Sequence, residues 1–285
     1  MKKDFGNRMK VYEEALTGQQ LLPLLPAMAR LDGKCFHNFT KGMNRPFDAR
    51  LSRLMIDTTK YLVQETNACM GYTQSDEISL AWLQPHFDSQ IFFAGKIQKM
   101  VSVLASMCTA YFNQRYPLCF WEDQINAEYR DDLAMFDCRV WNVPNIEEGA
   151  NVFLWREQDA TKNSVQMAAR HYFSHKELQD KNGPQLQEML FQVGVNWNDY
   201  PNFFKRGVFV QRRTVMKPYT FSELKSLSAQ HEARKNSDLL IERSEYVELA
   251  MPPFGKVQNR AEVIFFGAEP QLLEIEEPTN SVVVV

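Results

Sequence analysis

The chain has 285 residues, of which 45% are hydrophobic and 24% charged, with a formal net charge of -3. It is long enough for one large domain or a domain with an appendage. With no overall basic footprint, any nucleic-acid contact has to come from a local patch.

Five cysteines, odd in number and without a C-x-x-C pair, argue against a zinc knuckle and a disulfide framework and fit a reducing cytosol. Met1-Lys2-Lys3 is not followed by the apolar run of a signal peptide. No stretch reaches the ~18 apolar residues of a membrane span. The expectation is a cytoplasmic protein with no membrane segment.

In chain order, residues 1–22 carry helical spacing, and Pro23 and Pro26 then lead into a buried strand over Leu24–Leu31 that ends in Asp32. Gly33 allows a sharp turn directly after that carboxylate. A strand-end carboxylate with a free carbonyl beside it suits a hard cation, since Mg²⁺ takes oxygen ligands and keeps several waters. Pro46 opens a helix whose apolar rhythm (Phe47, Leu51, Leu54, Met55, Thr58, Leu62) runs to about Glu65. Strands over 68–72 and 78–83 flank the polar turn Thr73–Asp76, where Asp76 is the candidate second carboxylate and Glu77 its neighbour. A second helix runs over about 94–113, with Lys96 in its first turn, where a helix N-terminus favours anions. A strand over 133–143 follows.

The order strand–helix–strand–strand–helix–strand is that of a ferredoxin-like sheet. The expected fold is therefore α+β, a ferredoxin-like βαββαβ palm-type catalytic domain with a mostly helical C-terminal extension. That topology makes the first strand and the middle hairpin neighbours, which brings Asp32 and Asp76 together. Taken singly, an Asp-Gly or Ser-Asp turn is no more than a turn.

The second half predicts a long helix over 147–173, a break at Gly183-Pro184, a short helix over 185–193 and a basic strand over 205–217. Residues 218–249 are charged and helix-prone, and 262–266 reads as a further strand. The expected division is 1–146 palm-like, 147–267 an extension that completes the site and binds RNA, and 268–285 a flexible tail or, through Val282–Val285, an oligomer contact.

Several motifs recur together here: Arg30-Leu31-Asp32-Gly33 with Phe36-His37, Arg45-Pro46-Phe47-Asp48, Tyr72-x-Gln74-Ser75-Asp76-Glu77, Lys96, Phe136-Asp137-x-Arg139, and Trp155-Arg156-x-Gln158-Asp159-x-x-x-Asn163. As a set over residues 28–195 they resemble the tRNA-histidine guanylyltransferase superfamily and its 3′–5′ polymerase relatives that repair tRNA 5′ ends.

The resemblance implies a nucleotidyltransferase with two Mg²⁺ ions, held by Asp32, Asp76 and the Gly33 carbonyl, with Glu77 as the adjoining carboxylate. It implies nucleotide binding by Arg30, Lys34, Phe36, His37, Arg45, Ser75, Lys96 and Asn163, although Phe36 and Phe39 read more simply as packing behind the strand. The implied partners are tRNA, ATP, GTP or other nucleoside triphosphates, and further copies of the chain in a dimer or tetramer.

Thr161-Lys162-Asn163-Ser164 stands where guanylyl-adding members carry a His-Ile-Asn-Asn-like signature, which favours the repair branch. Phe93 stands where a basic residue is frequent, three before the lysine, so that grip would be rearranged or rely on Lys99.

His175, Lys176, Lys205, Arg206, Arg212 and Arg213 are candidate RNA contacts. A solvated helix end and a charged sheet edge account for them equally simply. His171 and His175, four apart, lack the Glu of a zincin pattern. Two other classes stay open, a nucleotide cyclase on the same sheet and a non-catalytic RNA-binding protein.

Overall fold

The computed structural model describes residues 2–120, 133–236 and 238–273. The fold is a mixed one, helices around a six-stranded antiparallel sheet ordered β4-β1-β3-β2-β5-β6. The strands are β1 (Ala27–Gly33), β2 (Met70–Gln74), β3 (Glu77–Trp82), β4 (Phe136–Asn142), β5 (Val208–Pro218) and β6 (Leu240–Glu248). The helices used below are α1 (Lys2–Thr17), α2 (Phe36–Phe39), α3 (Ala49–Thr66), α4 (Ile97–Cys119), α5 (Ile146–Tyr172), α6 (His175–Leu178), α7 (Gly183–Gln192), α8 (Asn202–Lys205), α9 (Phe221–Ser226) and α10 (Arg260–Phe265).

The alternation of β1 decides which side chains meet which layer, because successive residues of a strand point to opposite faces. Ala27, Ala29 and Leu31 join the core formed with α3 and α4, where Leu54, Leu62, Met100 and Leu104 are buried. Met28 belongs to a second core with Phe153 of α5 and Val263, Ile264 and Phe265 of α10. Arg30 and Asp32 share the Met28 parity and so lie on the α5 side. A third cluster holds the far half of α5 against α7 and α8 through Val165, Ala169, Leu190, Trp197 and Phe204.

Helix α3 begins where Asp48, buried to 4% exposure, accepts from the Arg50 amide at 3.0 Å as N-cap. Its apolar face covers β2, and Thr58, Thr59 and Thr66 return their hydroxyls to carbonyls four residues back, so no polar group is stranded there. Between β2 and β5, Gly207 stands at φ +78° with the Thr73 carbonyl 2.5 Å from where a Cβ would be. Only glycine fits that approach.

Two expectations fail in the C-terminal half. Residues 262–266 are not a strand but the last four residues of α10 and its C-cap Phe266, whose N–H donates to the Glu262 carbonyl at 2.9 Å. An apolar run this short does not separate a strand from a helix that is buried nearly all round. Residues 218–249 are not broadly helical. Among the described residues of this stretch the one α-helix is α9, started by a Thr220–Glu223 capping box, followed by a single 3₁₀ turn at Glu232–Arg234, and β6 then pairs with β5 over nine positions. Exposure alternates from Leu240 to Glu245 along β6, a period-two pattern set within a charged sequence.

The sheet is thus shared by segments on both sides of residue 146. The Val282–Val285 contact falls outside the described residues. No helix of the described residues is long and apolar enough to cross a membrane.

Candidate active site

The site forms at the end of β1 that carries Asp32. In the sheet register Asp32 lies between Glu77 of β3 and Asp137 of β4, so these side chains form one row on the face towards α5. The β2–β3 turn folds over this end. Its Ser75 takes a left-handed conformation, φ 54°, a strained position of the kind found at functional turns. The Gly33 amide donates to the Asp76 carbonyl at 3.1 Å.

Gly33 has no spare room. A Cβ there would lie 2.3 Å from a Phe36 ring carbon and 2.9 Å from the Asp76 Cβ. The missing side chain is what lets Asp76 and the end of β1 come together.

The carboxylates of this row are electrostatically unsettled. Burial pushes the Asp76 carboxyl above its usual range, and the neighbouring Asp32 charge adds to that, against a hydrogen bond from Ser75. Burial also raises Glu77, opposed by Arg156. The Arg156 guanidinium grips Glu77 with bonds of 2.7 and 2.8 Å and reaches Asp159 at 3.0 Å. Arg30 lies 4.0 Å from Glu77, its Nε buried with no hydrogen-bond partner. Trp155 meets both guanidiniums, at 5.5 Å from Arg30 and 4.5 Å from Arg156.

Glu77 is therefore committed to two arginines, whereas Asp32 and Asp76 are neighbours that, among the described residues, no lysine or arginine bonds. Among the described residues no group of three or more His, Cys, Asp or Glu is arranged to hold a metal ion. A cation here would rest on two carboxylates and complete its shell from carbonyl, water and substrate oxygens, as Mg²⁺ does.

A cleft of about 330 Å³ opens over this row, lined by Asp32, Gln74, Ser75, Asp76, Glu77, Arg156, Asn163, Gln166, Met167 and Arg170. Sequence reasoning brought Asp32, Ser75, Asp76, Glu77 and Asn163 to this place, and the structure assembles them. It missed Gln74, Gln166, Met167 and Arg170. The available signal was helical spacing: from Asn163, positions 166, 167 and 170 continue the same face of α5. A smaller recess lined by Arg45 shares Gln74, Ser75 and Met167 with the cleft.

Other candidates lie elsewhere. Lys34 and His37 are exposed on the segment after β1 and line neither recess. Phe36 is buried at 5% exposure against Phe39, Phe112 and Phe136, so its ring packs the core and is not open to a base. Lys96 is the N-cap of α4, not in its first turn. It bridges to Gln20, beside the Ala27 end of β1, at the opposite end of the sheet from Asp32.

Lys205 is buried and donates its ammonium to the Asn198 carbonyl. Desolvation lowers its pKa, and Arg206 adds to this. Arg206 bonds Asn202 at 2.8 Å, and Arg213 is engaged by Glu269 and Gln211. Arg212 is half-buried beside Cys69. These four basic residues do not form an open track. His175 and Lys176 are exposed at the start of α6.

Comparison with known proteins adds an independent observation. The tRNAHis guanylyltransferase (Thg1) family model matches residues 6–144. The chain is 29% identical over 206 residues to a tRNA(His) guanylyltransferase of Debaryomyces hansenii, covering 67% of this chain and 75% of that protein. A bacterial tRNA(His) guanylyltransferase (Thg1)-like protein solved in complex with ATP superposes with a TM-score of 0.66 at 40% identity, over 73% of this chain and 88% of that one. One in complex with GTP gives 0.65 at 33% identity, over 89% and 94%.

Proposed function

Because the chain belongs to the tRNAHis guanylyltransferase superfamily, and is thus a nucleotidyltransferase, we propose that it adds nucleotides in the 3′–5′ direction to the 5′ end of tRNA, in template-directed repair of truncated ends. The single observation that carries the site is the Asp32–Asp76 pair lining the cleft together with Ser75 and Asn163. The ATP and GTP complexes of similar proteins support nucleoside triphosphates as co-substrates. The strand order β4-β1-β3-β2 supports the palm reading.

Asp32, Asp76 and the Gly33 carbonyl would hold the divalent cations, two in this reading. Bound there, the cations would neutralise charge on the attacking and leaving oxygens of a phosphoryl transfer. The chain's own residues do the rest. Ser75 offers a hydroxyl and Asn163 an amide to the polyphosphate. Arg45, in the adjoining recess, offers a guanidinium that phosphate oxygens can take bidentately. Arg156 holds Glu77 in place behind Asp32. No protein nucleophile is required, since the 3′-hydroxyl of the incoming nucleotide attacks the activated 5′ phosphate.

Thr161-Lys162-Asn163-Ser164, in place of a His-Ile-Asn-Asn-like signature and with Asn163 lining the cleft, supports repair over single guanylylation, with the choice of nucleotide left to base pairing. Cytoplasmic location and assembly into a dimer or tetramer belong to the same proposal. Residues 4–15 of α1 are all exposed, including Phe5, Met9 and Tyr12, which supports the assembly. The division of the chain near residue 146, with RNA carried by the C-terminal part, is kept as part of this reading.

The test is a 5′-monophosphorylated tRNA transcript lacking its first nucleotide, incubated with Mg²⁺, ATP and labelled nucleotides beside the Asp76→Ala variant. Extension dictated by the opposing base and lost in the variant is the expected result. Extension confined to tRNA-histidine with GTP would move the protein to single guanylylation. Turnover of nucleotide to a cyclic product without RNA would overturn the tRNA reading.

A further inference from the structure

Next to the cleft lies a second recess of about 140 Å³, lined by Gln166, Arg170, His175, Leu178, Gln179, Lys181 and Leu186. Gln166 and Arg170 line both cavities, so the recess continues the cleft along α5. Seven residues separate Asn163 from Arg170, about 10 Å at the helical rise.

The recess is lined by a guanidinium, a lysine amine and an imidazole, and no carboxylate lines it. Glu177 is nearby in sequence but is occupied by Ser174, whose amide donates to it at 2.8 Å and whose hydroxyl donates at 2.7 Å.

Arg170 is unusual within this protein. Among the described residues it is the arginine whose side chain makes no hydrogen bond, ion pair or ring contact. Even the exposed Arg8 and Arg115 lie over Phe5 and Tyr111, and Arg45 donates to the Thr40 carbonyl at 3.2 Å. A basic residue in a helix's last turn does complement the dipole. That role asks nothing of Lys181, which reaches the same recess from a different segment. Like charges turned into one concavity repel, and an anion between them reverses the sign of the interaction.

We propose that Arg170 and Lys181, with the His175 imidazole and the Gln166 and Gln179 amides, form a phosphate-binding pocket for the RNA substrate, taking a backbone phosphate of the strand whose end lies at Asp32 and Asp76. The guanidinium supplies a planar fork and the ammonium a point charge. Leu178 and Leu186 add apolar lining to the recess. The pocket thereby sets the register of the RNA relative to the carboxylates. This inference rests on the reading of the site as one that extends RNA. The same chemistry would also accept the polyphosphate of a free nucleotide, and the experiment separates the two.

The full-length protein and its Arg170→Ala, Lys181→Ala, Arg170→Lys and Lys235→Ala variants would be titrated with the truncated tRNA transcript by fluorescence anisotropy over a range of salt. ATP and GTP would be titrated in parallel. Lys235 is exposed and lines neither cavity, so it reports general loss of charge.

The expected result is a loss of RNA affinity of roughly tenfold for each alanine variant in the recess, the weight of one charge-assisted contact. The salt dependence of log K should become shallower by about 0.7–0.9 for each cation removed. Arg170→Lys should restore the slope but only part of the affinity, and nucleotide affinity should be unchanged. Equal RNA affinity in all variants would overturn the pocket while leaving the function standing. Weakened ATP or GTP with RNA unaffected would overturn it in favour of a free nucleotide. Absence of RNA binding by the unmodified protein would overturn both.

Discussion

The Arg156–Glu77 pair ties α5 to the edge of the carboxylate row, and its removal gives the sharpest energetic test of the site. The two side chains are only 11% and 14% exposed and are joined by two bonds of 2.7 and 2.8 Å. Removing one partner of a fully buried ion pair costs about 3–5 kcal/mol, because the other charge is left without compensation. Arg30 at 4.0 Å and the residual exposure reduce this, so Arg156→Leu should cost roughly 2–3 kcal/mol. At this chain length that is a fall in Tm of about 3–5 °C.

The pH dependence fixes the cause. Burial already raises Glu77, and Arg156 is the main influence holding it down. Without Arg156 the folded-state pKa rises further above the unfolded one. A group shifted that way favours the fold most below its unfolded pKa and loses that contribution as pH rises through the folded pKa. The deficit of Arg156→Leu should therefore be small near pH 4 and grow towards pH 8. Adding Glu77→Gln should recover most of the loss at pH 8, which a double-mutant cycle by thermal or urea unfolding would read as coupling of roughly 1.5 kcal/mol or more. A deficit independent of pH, or additive single losses, would refute the reasoning and leave Arg156 as a packing residue only.

Three further outcomes follow from other parts of the structure. Gly33→Ala should destabilise by about 1–3 kcal/mol through overpacking against Phe36 and Asp76, with activity falling more than the folded fraction does; recovery of both by Phe36→Leu would support the contact, and wild-type activity in the single variant would refute it. Glu157 is buried, its pKa raised by desolvation against a bond from the Phe254 amide, so its favourable contribution is present below about pH 4.5 and is lost as pH rises through the raised folded value. Glu157→Gln should match the unmodified protein at acid pH and gain on it towards pH 8 in thermal scans, and the opposite trend would contradict burial as the cause. Mg²⁺ should raise the Tm of the unmodified protein and not that of Asp32→Asn or Asp76→Asn, and equal shifts in all three would place the cation elsewhere.

What was legible in the sequence was the part governed by local pattern. Asp32 could be placed at a strand end because Gly33 follows an apolar run, and Asp76 at a tight turn because apolar arms flank it. Their meeting needed only the order of elements. Positions decided by distant packing were not legible. Phe36 sits beside His37 in the motif, but its ring fills the space left by the missing Gly33 side chain. Lys205 belongs to a basic run, yet the cluster that holds α5, α7 and α8 together lies around it, with Trp197 against its ammonium, and leaves the Asn198 carbonyl to accept from it. Lys96 begins a helix, as its position suggests, but α4 starts beside Ala27, so an anion-favouring helix end lies at the wrong end of the sheet.

Arg170 shows the complementary blindness. Nothing in its sequence neighbourhood distinguishes it from a solvated helix-end arginine, and only the pairing of nearly every other arginine makes its lack of a partner informative. A chain that engages Arg50, Arg53, Arg139, Arg156, Arg213 and Arg243 with acids has acidic groups to spare at -3 overall. Charge balance therefore does not leave Arg170 and Lys181 bare for want of carboxylates. Their recess is kept clear of them while the adjoining cleft is lined with them. A recess lined by basic groups and a cleft rich in carboxylates, joined at Arg170, suit a substrate that brings a phosphate to each, one directly to the recess and one through a cation to the cleft.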